Sequence, residues 1–130
     1  MLHSFRDDVR RRFIVTASGS LSFAHLMTFL RSQLSQDAWD YSVLHDFRAA
    51  TTDATPEDSA EMAGWSRQTA MARARGPVAI VTVDPALAAA SREYARLVAR
   101  AGGLMAVFDD IDAAKRWLDR QAAQPSQCAG

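Results

Sequence analysis

The stretch Val78–Ala95, VAIVTVDPALAAASREYA, decides the fold of this 130-residue chain. It begins with six residues that are apolar apart from one threonine, which is typical of a strand covered on both faces of a sheet. Asp84-Pro85 then starts a helix, because aspartate accepts a hydrogen bond from a free amide and proline fits the first helical position. The stretch therefore predicts a central strand that leads directly into an amphipathic helix.

Upstream of this stretch the chain again pairs a strand with a helix. Tyr41–Phe47 is an apolar run that predicts a strand, and we expect a loop from its end to Thr55. TPED, at residues 55–58, predicts a helix start with a threonine cap, a proline in the first turn and acids at the positive helix end. We expect this helix to run to about Arg75, because Gly76-Pro77 is a strong stop signal.

The two ends of the chain complete the pattern. LMAVF at Leu104–Phe108 predicts a strand, and the last helix is expected to begin with a cap at Asp109 or Asp110. Near the N-terminus we expect a β-hairpin with its turn at Asp7–Arg10, followed by a helix capped by Ser22. The apolar residues of that helix recur at helical spacing: Phe23, Leu26, Met27, Leu30 and Leu34.

The predicted order of elements is β-β-α-β-α-β-α-β-α. Strands that alternate with helices indicate an α/β fold with a largely parallel sheet, and the opening hairpin makes the sheet mixed. We expect a single domain over residues 1–120 and a flexible C-terminal tail over residues 121–130.

Composition excludes several classes of function. The 15 basic and 15 acidic residues balance to a net charge of zero, which argues against bulk electrostatic binding to nucleic acid or anionic lipid. Cys128 is the only cysteine, so no internal disulfide can form. No apolar run approaches the ~20 residues that span a bilayer, and no apolar signal segment follows the charged N-terminus. We therefore expect a soluble, cytoplasmic protein.

Four stretches of the sequence resemble the SpoIIAA-like family of small bacterial STAS/SEC14-type domains. The match covers roughly residues 10–120, and the last stretch is its most specific part. The stretches are ASGSLSFAHL, SVLHDFR, VAIVTVDPALAAASREYA and VFDDIDAAKRWLDR.

The resemblance implies a compact α/β domain that binds or regulates rather than catalyses. STAS domains that antagonise anti-sigma factors use a serine at a helix start as a phosphoacceptor, and SEC14-type relatives enclose lipids or other apolar ligands. This chain lacks the Asp-Ser-Ser-Gly run of the antagonists and has DFRAATTDATPED in its place. Thr51, Thr52 and Thr55 are the candidate phosphoacceptors there. However, Thr55 is better explained as a helix cap, and the acids around it would repel a phosphate.

Two aspartates are candidates for chemistry. Asp46 and Asp84 are expected at the carboxyl ends of neighbouring strands, where open α/β sheets bind ligands. A carboxylate pair at that edge would suit a small enzyme, which is our alternative hypothesis. No nucleophile–base pair, metal-ligand spacing or phosphate-binding loop accompanies them, so we expect no cofactor and no metal. His45 is expected to be a core histidine.

The favoured hypothesis is a non-catalytic binding module. Its partner would be another protein or a small apolar or amphipathic molecule. Its surface would include the weakly amphipathic second helix, which also makes a homodimer an expected assembly. The candidate binding residues are Asp46, Asp84, Met62, Trp65, Arg92 and Tyr94.

Overall fold

Five strands form one mixed sheet in the computed structural model, which describes residues 2–123 of the chain. Their spatial order follows the chain order, β1 to β5. The first two strands are antiparallel, and every later neighbouring pair is parallel. The strands are β1 Leu2–Asp7, β2 Arg12–Leu21, β3 Ser42–Thr52, β4 Val78–Val81 and β5 Met105–Phe108.

Four helices connect or follow the parallel strands, and their starts carry the predicted caps. Ser22 accepts a hydrogen bond from the amide of His25, Thr55 from Asp58, and Asp84 from Leu87. Asp110 accepts one from Ala113 at the last helix. The helices are α1 Phe23–Ser35, α2 Pro56–Ala72, α3 Pro85–Arg100 and α4 Ile111–Ala123. The predicted fold class and order of elements are confirmed.

The sheet has two covered faces. On one face, Val43 and Phe47 of β3 belong to the main core, together with apolar residues of α1, α2 and α3. On the other face, Leu44 and Val81 pack against α4 in a second cluster. Strand β4 lies between β3 and β5, and all four of its residues are buried. The prediction of a central strand covered on both faces is confirmed for Val78–Val81, whereas the strand ends before Thr82 and Val83 is exposed.

Strand β3 is longer than predicted, so the expected loop from its end to Thr55 is wrong in its first half. Residues 48–52 continue the strand, and residues 49–52 pair with Ser18–Leu21 of β2. A register shift between Thr16 and Ser18 precedes this extension. Gly19 adopts a positive φ of 75° inside β2 and does not end the strand.

Two helix ends also differ from prediction. Helix α2 ends at Ala72, which leaves Arg75 in the segment before β4. Helix α4 runs to Ala123, so the tail predicted to begin at residue 121 starts within a helix. The rest of that predicted tail, with Cys128, lies outside the described residues.

Candidate functional site

An apolar cavity of about 60 Å³ lies between the sheet and helices α1, α2 and α3. Sheet, helices and the segment after β3 each contribute to its lining, and most of the lining side chains are hydrophobic. The apolar lining includes Leu26, Phe29, Leu30, Met62, Ile80 and Leu87. A void of this size in a close-packed interior is a candidate ligand site, because natural cores contain few holes larger than a water molecule.

Arg75 brings a positive charge to this apolar cavity. Its Nη1 donates hydrogen bonds to the Tyr94 hydroxyl at 2.9 Å and to Ser66 Oγ at 3.4 Å. The two hydroxyls are themselves hydrogen-bonded at 2.7 Å. The guanidinium carbon lies 4.8 Å from the centre of the Trp39 ring, within cation–π range. These contacts fix the orientation of the guanidinium plane.

No carboxylate of residues 2–123 forms an ion pair with the guanidinium of Arg75. Its Nε is fully enclosed and has no hydrogen-bond partner in the described part of the chain. An enclosed charged donor without a partner is costly, and such groups in native proteins are usually paired.

His45 is the second polar group of the cavity without a full set of partners. It lies in the middle of β3, and its ring packs 5.5 Å from Phe29 and 4.8 Å from Phe47. Its Nδ1 is buried and makes no hydrogen bond within the described residues. Burial, with a smaller contribution from the positive charge of Arg75, lowers the pKa of His45 to about 3. The imidazole is therefore neutral at pH 7.

This neutral imidazole makes the stability of the fold depend on pH. The unfolded chain binds a proton at His45 near pH 6.5, whereas the folded chain does so only near pH 3. Stability is thus complete above pH 6.5 and falls as the pH falls. Between pH 6.5 and pH 5 we expect His45 to lower the free energy of unfolding by about 2 kcal/mol. Urea denaturation at a series of pH values measures this loss.

Two variants isolate the contribution of His45. The substitution His45→Phe should flatten the acid side of the stability profile, whereas His3→Asn, at an exposed position of β1, should keep the wild-type slope. If His45→Phe and the wild type lose stability in parallel between pH 6.5 and pH 5, the histidine does not become protonated on unfolding.

Four of the predicted binding residues fall in different surroundings. Met62 and Tyr94 line the cavity. Trp65 is half-buried beside it and makes an edge-to-face contact with Trp39, with ring centroids 5.6 Å apart. Arg92 is exposed on α3. The second helix therefore contributes a cavity wall through Met62 and Ser59.

The two predicted carboxylates do not form a shared site. Asp46 is on the sheet face that α4 covers, and Arg48 donates to both of its oxygens at 2.8 Å. The hydrogen bonds from Arg48 hold the pKa of Asp46 below its usual range. Asp84 caps α3 through a 2.9 Å bond from the amide of Leu87. Asp46 pairs with Val81, the last residue of β4, but β3 continues beyond Asp46 to Thr52, so Asp46 is not at the end of its own strand as predicted.

The candidate phosphoacceptors also lie in more ordered surroundings than predicted. Thr51 and Thr52 belong to β3, and the Thr52 hydroxyl donates to the carbonyl of Leu21 at 3.0 Å. Thr55 Oγ1 accepts a hydrogen bond from the amide of Asp58 at 3.1 Å. In return, the amide of Thr55 donates to Asp58 Oδ2 at 3.0 Å. The cap prediction for Thr55 is confirmed, and Thr51 is the threonine of the three with an exposed side chain on a strand.

The place of Arg75 in the cavity lining was not predicted from the sequence. His45 was predicted only as a core histidine, and it also lines the cavity. Arg75 was noted only as the end of a helix, and nothing in its neighbours indicates that it reaches a tyrosine 19 residues later. The available signal was an arginine just before a Gly-Pro stop and a buried strand.

Neither a metal site nor a membrane span is found in the described part of the chain. Over residues 2–123, no three His, Cys, Asp or Glu side chains gather closely enough to hold a metal ion. Within the same range, no helix is both long enough and apolar enough to cross a bilayer.

Two solved structures are similar to this chain over nearly its whole length. One is the anti-sigma factor antagonist SpoIIAA in its unphosphorylated form, with a TM-score of 0.55 and 14% identity over 95% of this chain and 100% of that one. The other is an uncharacterized DUF3478-family protein with a SpoIIAA-like fold from Shewanella loihica PV-4. It has a TM-score of 0.55 and 17% identity, over 91% of this chain and 92% of that one. No protein-family model and no curated protein matches the sequence. Identities this low establish a shared fold.

Proposed function

We propose, since this chain has the SpoIIAA-like fold, that it acts as a cytoplasmic, non-catalytic binding module for a small amphipathic molecule. The ligand would occupy the cavity between the sheet and helices α1, α2 and α3. The observation that carries this proposal is the cavity itself, which combines an apolar wall with a few convergent polar groups. That combination is typical of small-molecule sites.

The polar groups of the cavity favour binding over catalysis. Tyr94 is hydrogen-bonded to Arg75 and to Ser66, which is not part of the cavity lining, so the Tyr94 hydroxyl is held in a network. The neutral His45 packs against the rings of Phe29 and Phe47, and its buried Nδ1 has no hydrogen-bond partner within residues 2–123. The carboxylates of the enzyme hypothesis are bound separately by Arg48 and by a helix amide, so no observation favours that alternative.

A cavity-filling variant tests the proposal. Ala90 lines the cavity from α3, whereas Ala89 is exposed on the same helix. With hexan-1-ol as a neutral probe, we expect saturable changes in the amide NMR signals of lining residues in the wild type. Ala90→Leu should weaken this binding at least tenfold by occupying the space, and Ala89→Leu should bind as the wild type does.

The outcome that contradicts the proposal is equally specific. If hexan-1-ol shifts no amide of the cavity, or if Ala89→Leu and Ala90→Leu weaken its binding equally, the cavity is not a ligand site. Native mass spectrometry of freshly purified protein on the same samples would report any small molecule that copurifies.

A protein partner is the second candidate, and one observation favours it. Met71 near the end of α2 is 85% exposed, and large apolar side chains on a surface are common at interfaces. SpoIIAA is itself named as an antagonist of an anti-sigma factor, a protein partner. The homodimer expected from the sequence belongs to this candidate, and the same native mass spectra give the number of chains in the particle.

A further inference from the structure

We propose that the ligand of this cavity is a small monocarboxylic acid, whose carboxylate is bound by the guanidinium of Arg75 and whose apolar body lies between the sheet and the helices. The inference rests on the proposed function and adds the chemistry of the head group. It is carried by an unpaired cation at an apolar cavity, together with a buried histidine nitrogen that has no partner.

The positive charge of Arg75 favours a ligand that carries one negative charge. Arg12 is the one other arginine of residues 2–123 that is not exposed, and Asp119 neutralises it at 2.9 Å. Arg75 has no such acid, and the second polar group, His45, is neutral. A monoanion would neutralise Arg75, whereas a phosphate dianion would leave one negative charge enclosed without a partner.

The geometry of the guanidinium suits a carboxylate. Nη1 is occupied by Tyr94 and Ser66, and Nε has no partner within the described residues. Arginine presents its donors in a planar fork that matches the two oxygens of a carboxylate. Because the Trp39 ring and the two hydroxyls already hold this fork, binding would cost little ordering of the side chain.

His45 also lines the cavity and can supply a second hydrogen-bond donor. A neutral imidazole carries one N–H donor and one acceptor nitrogen, and Nδ1 of His45 makes no bond within residues 2–123. His45 and Arg75 both line the cavity. A carboxylate between them would satisfy both.

The size of the cavity sets the size of the apolar body. A cavity of about 60 Å³ limits the enclosed part of the ligand to a short aliphatic chain, because a benzene ring fills a cavity of about 150 Å³. Met62 and Met105 line the cavity, and their flexible side chains can adjust to ligands of somewhat different shape.

The test compares an acid with its matched alcohol on the full chain. Hexanoate, hexan-1-ol and inorganic phosphate are titrated separately, and the Arg75 Nε–H signal and the amide signals of the cavity are followed by NMR. We expect hexanoate to bind at least tenfold more tightly than hexan-1-ol and to shift the Arg75 Nε–H signal, because charge-assisted hydrogen bonds are the strong ones. Inorganic phosphate should shift neither the Arg75 Nε–H signal nor the amide signals of the cavity.

Variants assign the preference to one side chain. Arg75→Gln should lower the affinity for hexanoate at least tenfold, to about that for hexan-1-ol, and Arg75→Lys should retain part of the preference because it keeps the charge without the fork. Arg73→Gln is the matched control, since Arg73 is exposed two residues away and pairs with Asp37. It should leave the affinity for hexanoate unchanged.

The results separate this inference from the proposed function. Equal affinity of the wild type for hexanoate and hexan-1-ol overturns the carboxylate assignment, leaves the cavity as a ligand site, and means that water satisfies Arg75. Tighter binding of phosphate than of hexanoate overturns it as well. Failure of both organic probes to bind overturns the proposed function itself. The comparison on the wild type decides the matter even if Arg75→Gln does not fold.

Discussion

Replacing Trp39 by alanine is expected to lower the free energy of unfolding by about 4 kcal/mol. The indole is the largest fully buried side chain among the described residues, with 0% of its surface exposed. It packs edge to face on Trp65 and carries the guanidinium of Arg75 above its ring. Truncation would leave a cavity in the main core and would also remove the support that orients Arg75.

Urea denaturation at pH 7 measures this loss, and two further variants calibrate it. Trp39→Phe keeps an aromatic ring and should cost clearly less than Trp39→Ala. Trp65→Ala removes the half-buried partner of the same contact and should also cost less. A loss below about 2 kcal/mol for Trp39→Ala would mean that the segment before β3 collapses onto the vacated space.

Replacing Gly76 by alanine is expected to lower the free energy of unfolding by about 3 kcal/mol. A Cβ atom at this position would lie 2.3 Å from the carbonyl oxygen of Tyr41 and 2.4 Å from that of Asp40. Both contacts are with backbone, which cannot rotate away as a side chain can. The amide of Gly76 also donates to the carbonyl of Trp39 at 3.2 Å, so separating the two segments would stretch this bond.

Gly64 provides the matched control. It lies inside α2, and a Cβ atom there would meet nothing within 4 Å. Gly64→Ala should therefore stabilise the protein by up to about 1 kcal/mol, because alanine is the better helix former. Denaturation curves of the two variants should move in opposite directions. A Gly76→Ala variant as stable as the wild type would show that residues 40–41 and 76 are farther apart than the structure has them.

The features predicted correctly from sequence are those with local causes. The four fully buried residues of β4 follow one another in the sequence, and the capping residues Thr55 and Asp84 act on amides three residues away. Such signals are complete within a short window. The resemblance to SpoIIAA-like proteins is confirmed at the level of the fold.

The candidate site depends on contacts that no short window contains. Arg75 meets Tyr94 and Trp39 only after β4, α3 and the segment before β3 have packed together. The length of β3 was underestimated because its continuation pairs with residues of β2 about 30 positions earlier. Asp46 was predicted at a strand end for the same reason. Of the predicted binding residues, Met62 and Tyr94 reach the cavity because each belongs to the apolar stripe of its helix.

The position of α4 has a consequence for biosynthesis. This helix follows all five strands in the chain, and it covers Leu44, Ala79 and Val81 on its face of the sheet. A folding chain in which the five strands have paired before α4 docks therefore carries an uncovered apolar surface. A product truncated after Phe108 would keep that surface permanently and would be a substrate for chaperones and proteases. The solubility of the folded chain thus depends on α4 covering this face of the sheet.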